Sequence, residues 1–171
     1  MFDKFGKLNT VEELNAAAAG LLAEGDTESI IALAQENGLD VEDAQDYADG
    51  MVPELATVYQ AAVGWLGIQR TLYVNKSKYV AEQMACHIII TMLLTMCTDP
   101  ELVAAVVNKD KNVLEIYNAM GAEAKKHASG QREAVSCGTD EELRKIIRAY
   151  YLDPKSLKKK LMALYVLDGE G

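Results

Sequence analysis

The chain has 171 residues, of which 50% are apolar and 25% charged, and its formal net charge is −9. This length and composition, with only three prolines, predict a globular helical domain and exclude a disordered chain. The acidic balance argues against tight, nonspecific binding to DNA, which depends on neutralising phosphates.

The first residues lack the basic, apolar and small-residue regions of a secretory signal, so we expect a cytoplasmic protein. An odd number of cysteines without C-x-x-C spacing predicts neither a disulfide framework nor a zinc site: Cys86, Cys97 and Cys137. His87 and His127 are not at metal-binding spacing, and no phosphate-binding loop or nucleophile motif occurs. We therefore expect no catalytic residue, no metal and no cofactor.

In chain order, three short helices come first, and each is expected to end at a glycine: Gly25, Gly38 and Gly50. Residues suited to capping precede them: Thr10, Asp26 or Thr27, and Asp40. Thr10 and Glu13 have the spacing of a reciprocal capping box. Because helices this short are unstable alone, we expect them to pack together as an acidic N-terminal helical lobe over residues 1–52.

The next predicted helix begins at Pro53 and runs toward Tyr73. Residues 71–74 have some strand character, but no second strand follows them. Asn75 or Ser77 then opens a long apolar helix containing residues 84–97, MACHIIITMLLTMC. Fourteen residues fall short of the roughly 20 that span a bilayer, so this segment is interpreted as the central core helix.

Four further helices are predicted from their starting signals. The signals are Asp99-Pro100, Asn112 for a helix to about His127, Thr139 with Glu142 after a loop with Gly130 and Gly138, and Asp153-Pro154. The predicted fold is all-α, a compact bundle of about eight or nine helices around the apolar helix at residues 84–97. Its main part is residues 53–171, which is either separate from the N-terminal lobe or continuous with it.

Charge is distributed unevenly. Residues 1–60 contain 13 Asp or Glu against two Lys or Arg, whereas residues 61–171 contain 13 acidic and 15 basic residues. The acidic residues concentrate at Glu36, Asp40, Glu42, Asp43, Asp46, Asp49 and Glu54. This pattern is typical of a solvated face, of a docking surface for a partner with a basic surface, or of a calcium site, although the ligand order of a calcium loop is incomplete.

A basic cluster lies near the C-terminus and supplies the candidates for nucleic-acid binding: Arg144, Lys145, Arg148, Lys158, Lys159 and Lys160, with Lys155 beside them. The cluster is short, and few aromatic residues accompany it. Nucleic-acid binding is therefore the alternative hypothesis.

Several stretches resemble a Cas9-inhibitor (anti-CRISPR) family of bacterial mobile elements: MFDKFG at residues 1–6, VEELN at 11–15, EGDTES at 24–29, AQENG at 34–38, and EDA at 42–44 before Tyr47. Others resemble the PcfK-like proteins of conjugative elements: KDKNVLE at residues 109–115, and DEEL at 140–143 before Tyr150 and Tyr151. The resemblance implies a cytoplasmic accessory protein of a plasmid, conjugative element or phage. It identifies no binding residues.

The sequence and the resemblance together predict a non-enzymatic protein-binding factor. Its acidic face would dock on a basic groove, for example that of a CRISPR nuclease, and would compete there with nucleic acid. The alternative is a nucleic-acid-associated accessory protein of conjugation or plasmid maintenance. The apolar helix could in addition support a homodimer.

Overall fold

The computed structural model describes residues 4–128 and 138–165. The first three residues of the stretch MFDKFG lie outside these ranges, as do Gly130 and Cys137. Within them the fold is all-α, as predicted, and comprises nine α-helices: α1 (Val11–Glu24), α2 (Thr27–Glu36), α3 (Val41–Ala48), α4 (Val58–Arg70), α5 (Val80–Met96), α6 (Pro100–Val107), α7 (Val113–His127), α8 (Asp140–Leu152) and α9 (Pro154–Ala163).

The helix starts follow the predicted caps in most places. Asp26, not Thr27, caps α2, and Asp40 caps α3. Thr10 accepts a hydrogen bond from the Glu13 amide at 3.2 Å, but the Glu13 carboxylate accepts from the Asn9 amide, so the predicted reciprocal box is only half formed. Gly25, Gly38 and Gly50 all have positive φ, as left-handed helix ends require.

The prediction of a helix starting at Pro53 is wrong. Pro53 lies in an irregular segment, and α4 begins only at Val58. Thr57 and Gln60 satisfy each other's backbone groups in a complete capping box, which fixes the start at Val58, five residues after Pro53.

The expected starts of the apolar helix also differ from the structure. Residues Thr71–Asn75 form a π-helical turn that continues α4. The Ser77 hydroxyl accepts from the Tyr79 amide, which makes a local turn before the helix begins at Val80. Neither Asn75 nor Ser77 therefore caps α5.

Later helices begin as predicted. Asp99 caps α6, Asn112 caps α7, and Thr139 forms a complete capping box with Glu142 at the start of α8. Asp153 precedes α9 but makes no side-chain cap.

One hydrophobic core extends across the predicted boundary at residues 52 and 53. Leu14 and Leu33 from the first third are fully buried in the same cluster as Leu66 and Ile90. The turn that ends α2 lies directly against α4, since a Cβ added at Gly64 would lie 2.5 Å from the Asn37 carbonyl oxygen. The first three helices are thus packed directly on the remainder.

The helix α5 buries one side and exposes the other. Cys86, Ile90 and Leu93 are fully buried, whereas Met84 is 61% exposed. The predicted core helix therefore contributes to the core along a single face.

A short loop before α7 joins three separate parts of the molecule. Lys109 donates from Nζ to the Leu8 carbonyl at 2.7 Å, and Lys111 donates from Nζ to the Tyr151 carbonyl at 2.6 Å. The Trp65 indole donates to the Lys111 carbonyl at 3.2 Å. We call residues 108–112 the connecting loop, since it holds the N-terminal segment, α4 and the end of α8 in place.

Among the residues that the structure describes, no helix is both long and apolar enough to cross a membrane.

Candidate functional site

The helix α3 and its two capping residues carry five of the seven predicted partner-binding residues. Ala44 and Tyr47 form its buried stripe. Glu42, Asp46 and Asp49 are exposed and stand at i, i+4 and i+7, so they lie on the side of the helix that faces solvent. The sequence places four carboxylates within and just after an eight-residue helix, and the fold keeps them on its outside.

Each end of α3 uses one aspartate for its own structure. Asp40 accepts from the Glu42 amide at 2.8 Å, and Asp49 accepts from the Gln45 side chain at 3.1 Å. An aspartate cap is favourable at a helix start because exposed amides and the helix dipole attract negative charge there. Both residues remain exposed, so capping leaves oxygen atoms at the surface.

A shallow pocket of about 240 Å³ lies between α3 and the irregular segment before α4. Asp43, Asp46 and Glu54 line it together with the apolar side chains of Val52 and Leu55. Asp43 is fixed there by the Gln60 amide, which donates to it at 3.0 Å. The lining of the pocket therefore combines apolar side chains with three carboxylates.

We define the acidic face as the exposed carboxylates of α3 and this pocket: Asp40, Glu42, Asp43, Asp46, Asp49 and Glu54. Met51, which is 73% exposed, and Val52, 39% exposed, are its apolar neighbours in the chain. The sequence analysis did not include these two apolar residues, although a pair of apolar residues between Asp49 and Glu54 could have indicated an apolar contact within the acidic cluster. Apolar contacts with a polar rim are the usual composition of a protein interface.

Glu36 does not belong to the acidic face. Its carboxylate accepts hydrogen bonds from the backbone amides of Lys4 at 3.1 Å and Phe5 at 3.4 Å. The residue is only partly exposed and holds the N-terminal segment against the end of α2. Its role in the structure is an internal one.

The basic residues of α8 are engaged within the chain. Arg148 pairs with Asp99, and Lys145 pairs with Glu141 at 2.6 Å. The hydrogen bond that Arg148 donates to Asp99 lowers the pKa of Asp99, and the hydrogen bond that Lys145 donates to Glu141 raises the pKa of Lys145. Arg144 donates to the Thr95 hydroxyl at 3.1 Å. Contact with a phosphate would have to compete with these existing partners.

The lysines of α9 are arranged differently. Lys158, Lys159 and Lys160 are exposed, as is Lys155 in the first turn, while Leu161 anchors the helix on the core. Three consecutive residues point in directions about 100° apart around a helix, so they do not share one face. The structure therefore does not gather the six predicted basic residues into a single patch.

Two further kinds of site were considered within the described residues: a reactive cysteine and a metal-binding cluster. Cys86 and Cys97 are buried, and burial raises the pKa of both thiols, that of Cys86 to about 11. A high thiol pKa lowers reactivity because the thiolate is the nucleophile. Over residues 4–128 and 138–165, no group of three His, Cys, Asp or Glu side chains is placed to hold a metal ion.

The chain matches no protein-family model, no curated protein and no solved structure.

Proposed function

We propose that the protein is a binding factor whose acidic face docks on a basic surface of another protein. The observation that carries the proposal is the pocket that Asp43, Asp46 and Glu54 line together with Val52 and Leu55. Lysine and arginine side chains combine an apolar stem with a charged end, so this lining suits one of them entering from a partner.

The partner class follows from charge. A protein that holds nucleic acid presents grooves of Lys and Arg, and an acidic face that enters such a groove competes with phosphates for those side chains. The resemblance of residues 1–47 to a Cas9-inhibitor family points to one such partner, a CRISPR nuclease carrying its guide RNA. In this proposal the protein blocks the groove by occupying it, and no bond is made or broken.

A charge-neutralised variant tests the proposal. Replacing Asp40, Asp43, Asp46 and Asp49 by Asn removes four charges, while Asn keeps the acceptor atoms that cap α3 and bind Gln60. We expect binding to a guide-loaded Cas9-type nuclease, measured by biolayer interferometry, to weaken roughly 10- to 100-fold, with most of the change in the association rate.

The matched control neutralises four exposed acidic residues elsewhere: Glu12, Glu24, Glu28 and Glu101, each changed to Gln. Both variants change the net charge equally, so a loss that follows position supports the acidic face. Equal affinity of the two variants, with unchanged circular dichroism, would remove the proposal.

The alternative, a nucleic-acid-associated accessory protein, is favoured by one feature, the exposed lysines of α9. It predicts retention of single- or double-stranded DNA or RNA in a low-salt gel shift, lost when Lys158, Lys159 and Lys160 are changed to Gln. No retention of any of these nucleic acids would dispose of it.

A further inference from the structure

The exposed side of α5 carries no Asp, Glu, Lys or Arg along its length. Val80, Met84 and Ile88 follow one another at i, i+4 and i+8 and are 67%, 61% and 46% exposed. The same side continues through Thr91 and Thr95, which are also exposed. Solvent-facing sides of helices in globular proteins usually carry several charged residues, whereas the exposed His87 is the titratable residue on this side, so the side is typical of a contact surface.

The surface continues into a groove of about 320 Å³ between α5 and the start of α8. Ile88 and Met92 line it from α5, and Asp140 and Arg144 line it from α8. At the other end of α5, Tyr79 is 71% exposed and Lys78 is exposed beside it. The apolar stripe is therefore flanked by the basic residue Lys78 at its start and, at its far end, by a groove that holds the acidic Asp140 and the basic Arg144.

We propose that α5 forms the two-fold interface of a homodimer, in which α5 of a second copy packs antiparallel along this stripe. An antiparallel second copy suits these charges, because it brings its Lys78 against Asp140 of the first copy, while the Arg144 guanidinium of the same groove already donates to the Thr95 hydroxyl at 3.1 Å. The two-fold symmetry makes that contact twice. The proposal is independent of the acidic face, which lies on α3 and the segment before α4.

The spacing of the stripe fixes the register. With Met84 at the two-fold axis, it packs against Met84 of the other copy, and Val80 packs against Ile88, since each lies four residues from the axis. Tyr79 of one copy then enters the groove beside Ile88 of the other. Residues spaced by one helical turn interlock in this way at antiparallel helix pairs.

The first experiment measures mass by light scattering over a concentration series. We expect the unmodified chain to be a dimer and Met84→Glu to associate roughly 100-fold more weakly, because the two introduced carboxylates meet at the axis. Met162→Glu, on an exposed methionine of α9, is the control and should remain dimeric. A monomeric unmodified chain, or a Met84→Glu variant that still forms the dimer, would overturn the proposal.

The second experiment tests the orientation by exchanging charges. Lys78→Glu should weaken the dimer roughly tenfold, and adding Asp140→Lys in the same chain should restore it, because both symmetric contacts are then opposite in charge again. A double variant that associates as weakly as Lys78→Glu alone would overturn the antiparallel arrangement. Circular dichroism confirms that each variant is folded.

Discussion

The close approach of α2 and α4 yields a prediction with a definite sign. An alanine Cβ at Gly64 would lie 2.5 Å from the Asn37 carbonyl oxygen and 3.0 Å from the Gly38 carbonyl oxygen. Both atoms belong to the backbone at the end of α2, so neither can move without displacing that helix. Alanine at a helix interior is otherwise favourable by about 1 kcal/mol relative to glycine.

Overpacking costs about 1–3 kcal/mol, and a clash this short with backbone atoms lies at the upper end of that range, at about 3 kcal/mol, so it exceeds the gain in helix propensity by about 2 kcal/mol. We expect Gly64→Ala to lower the free energy of unfolding by about 2 kcal/mol. In a domain of this length that corresponds to a fall in Tm of roughly 6 °C. Thermal unfolding followed by far-ultraviolet circular dichroism measures the shift, and urea titration gives the free energy.

Gly67 supplies the control within the same helix. It is exposed, and a Cβ added there would meet no atom within 4 Å. Gly67→Ala should therefore stabilise the protein by about 0.5–1 kcal/mol. If Gly64→Ala raised the Tm as Gly67→Ala does, the close packing of α2 on α4 would be refuted.

Two further predictions concern the connecting loop. Burial lowers the pKa of Lys109 from 10.5 to about 8, although the negative charge of Glu13 acts in the opposite direction. Between these two pKa values the unfolded chain binds a proton that the folded chain has lost. The free energy of unfolding therefore rises with pH from about 8 toward 10. Lys109→Met should flatten this rise in urea titrations, and an identical slope in the variant would contradict the assigned cause. Tyr150→Phe removes the acceptor of the Asn112 amide, 3.0 Å away, and the hydroxyl that donates to Glu115. We expect a loss of about 1–2 kcal/mol in the free energy of unfolding, and an unchanged urea midpoint would show that these bonds add no stability.

Local signals in the sequence predict most helix starts because a cap involves residues only two or three positions apart. The Thr139–Glu142 box and the Asp99-Pro100 pair are examples, and the structure has both. Pro53 misled the prediction because a first-turn proline is permitted at a helix start but does not require one. The capping box at Thr57 sets the start of α4 instead.

The site was predictable only where it depends on one helix. Glu42, Asp46 and Asp49 stand at i, i+4 and i+7, so helix geometry alone places them on one exposed side of α3 and its C-cap. Glu36 lies outside the acidic face because its carboxylate accepts a hydrogen bond from the backbone amide of Lys4, 32 positions away, and no local pattern indicates that contact. The exposed side of α5 was hidden for a similar reason, since an apolar run without charges gives no indication of which side the neighbouring helices leave uncovered.

The connecting loop has a consequence for the order of folding. Its bonds to Lys7, Leu8 and Asn9 join positions 100 to 103 residues apart. Closing so long a stretch of chain costs conformational entropy before these hydrogen bonds can form, whereas a helix forms from hydrogen bonds between residues close in sequence. We therefore expect the N-terminal segment, residues 4–10, to dock last during refolding and to detach first in the native state. In hydrogen exchange, the amides of Lys109 and Asn9 would then lose protection before those in the interior of α4.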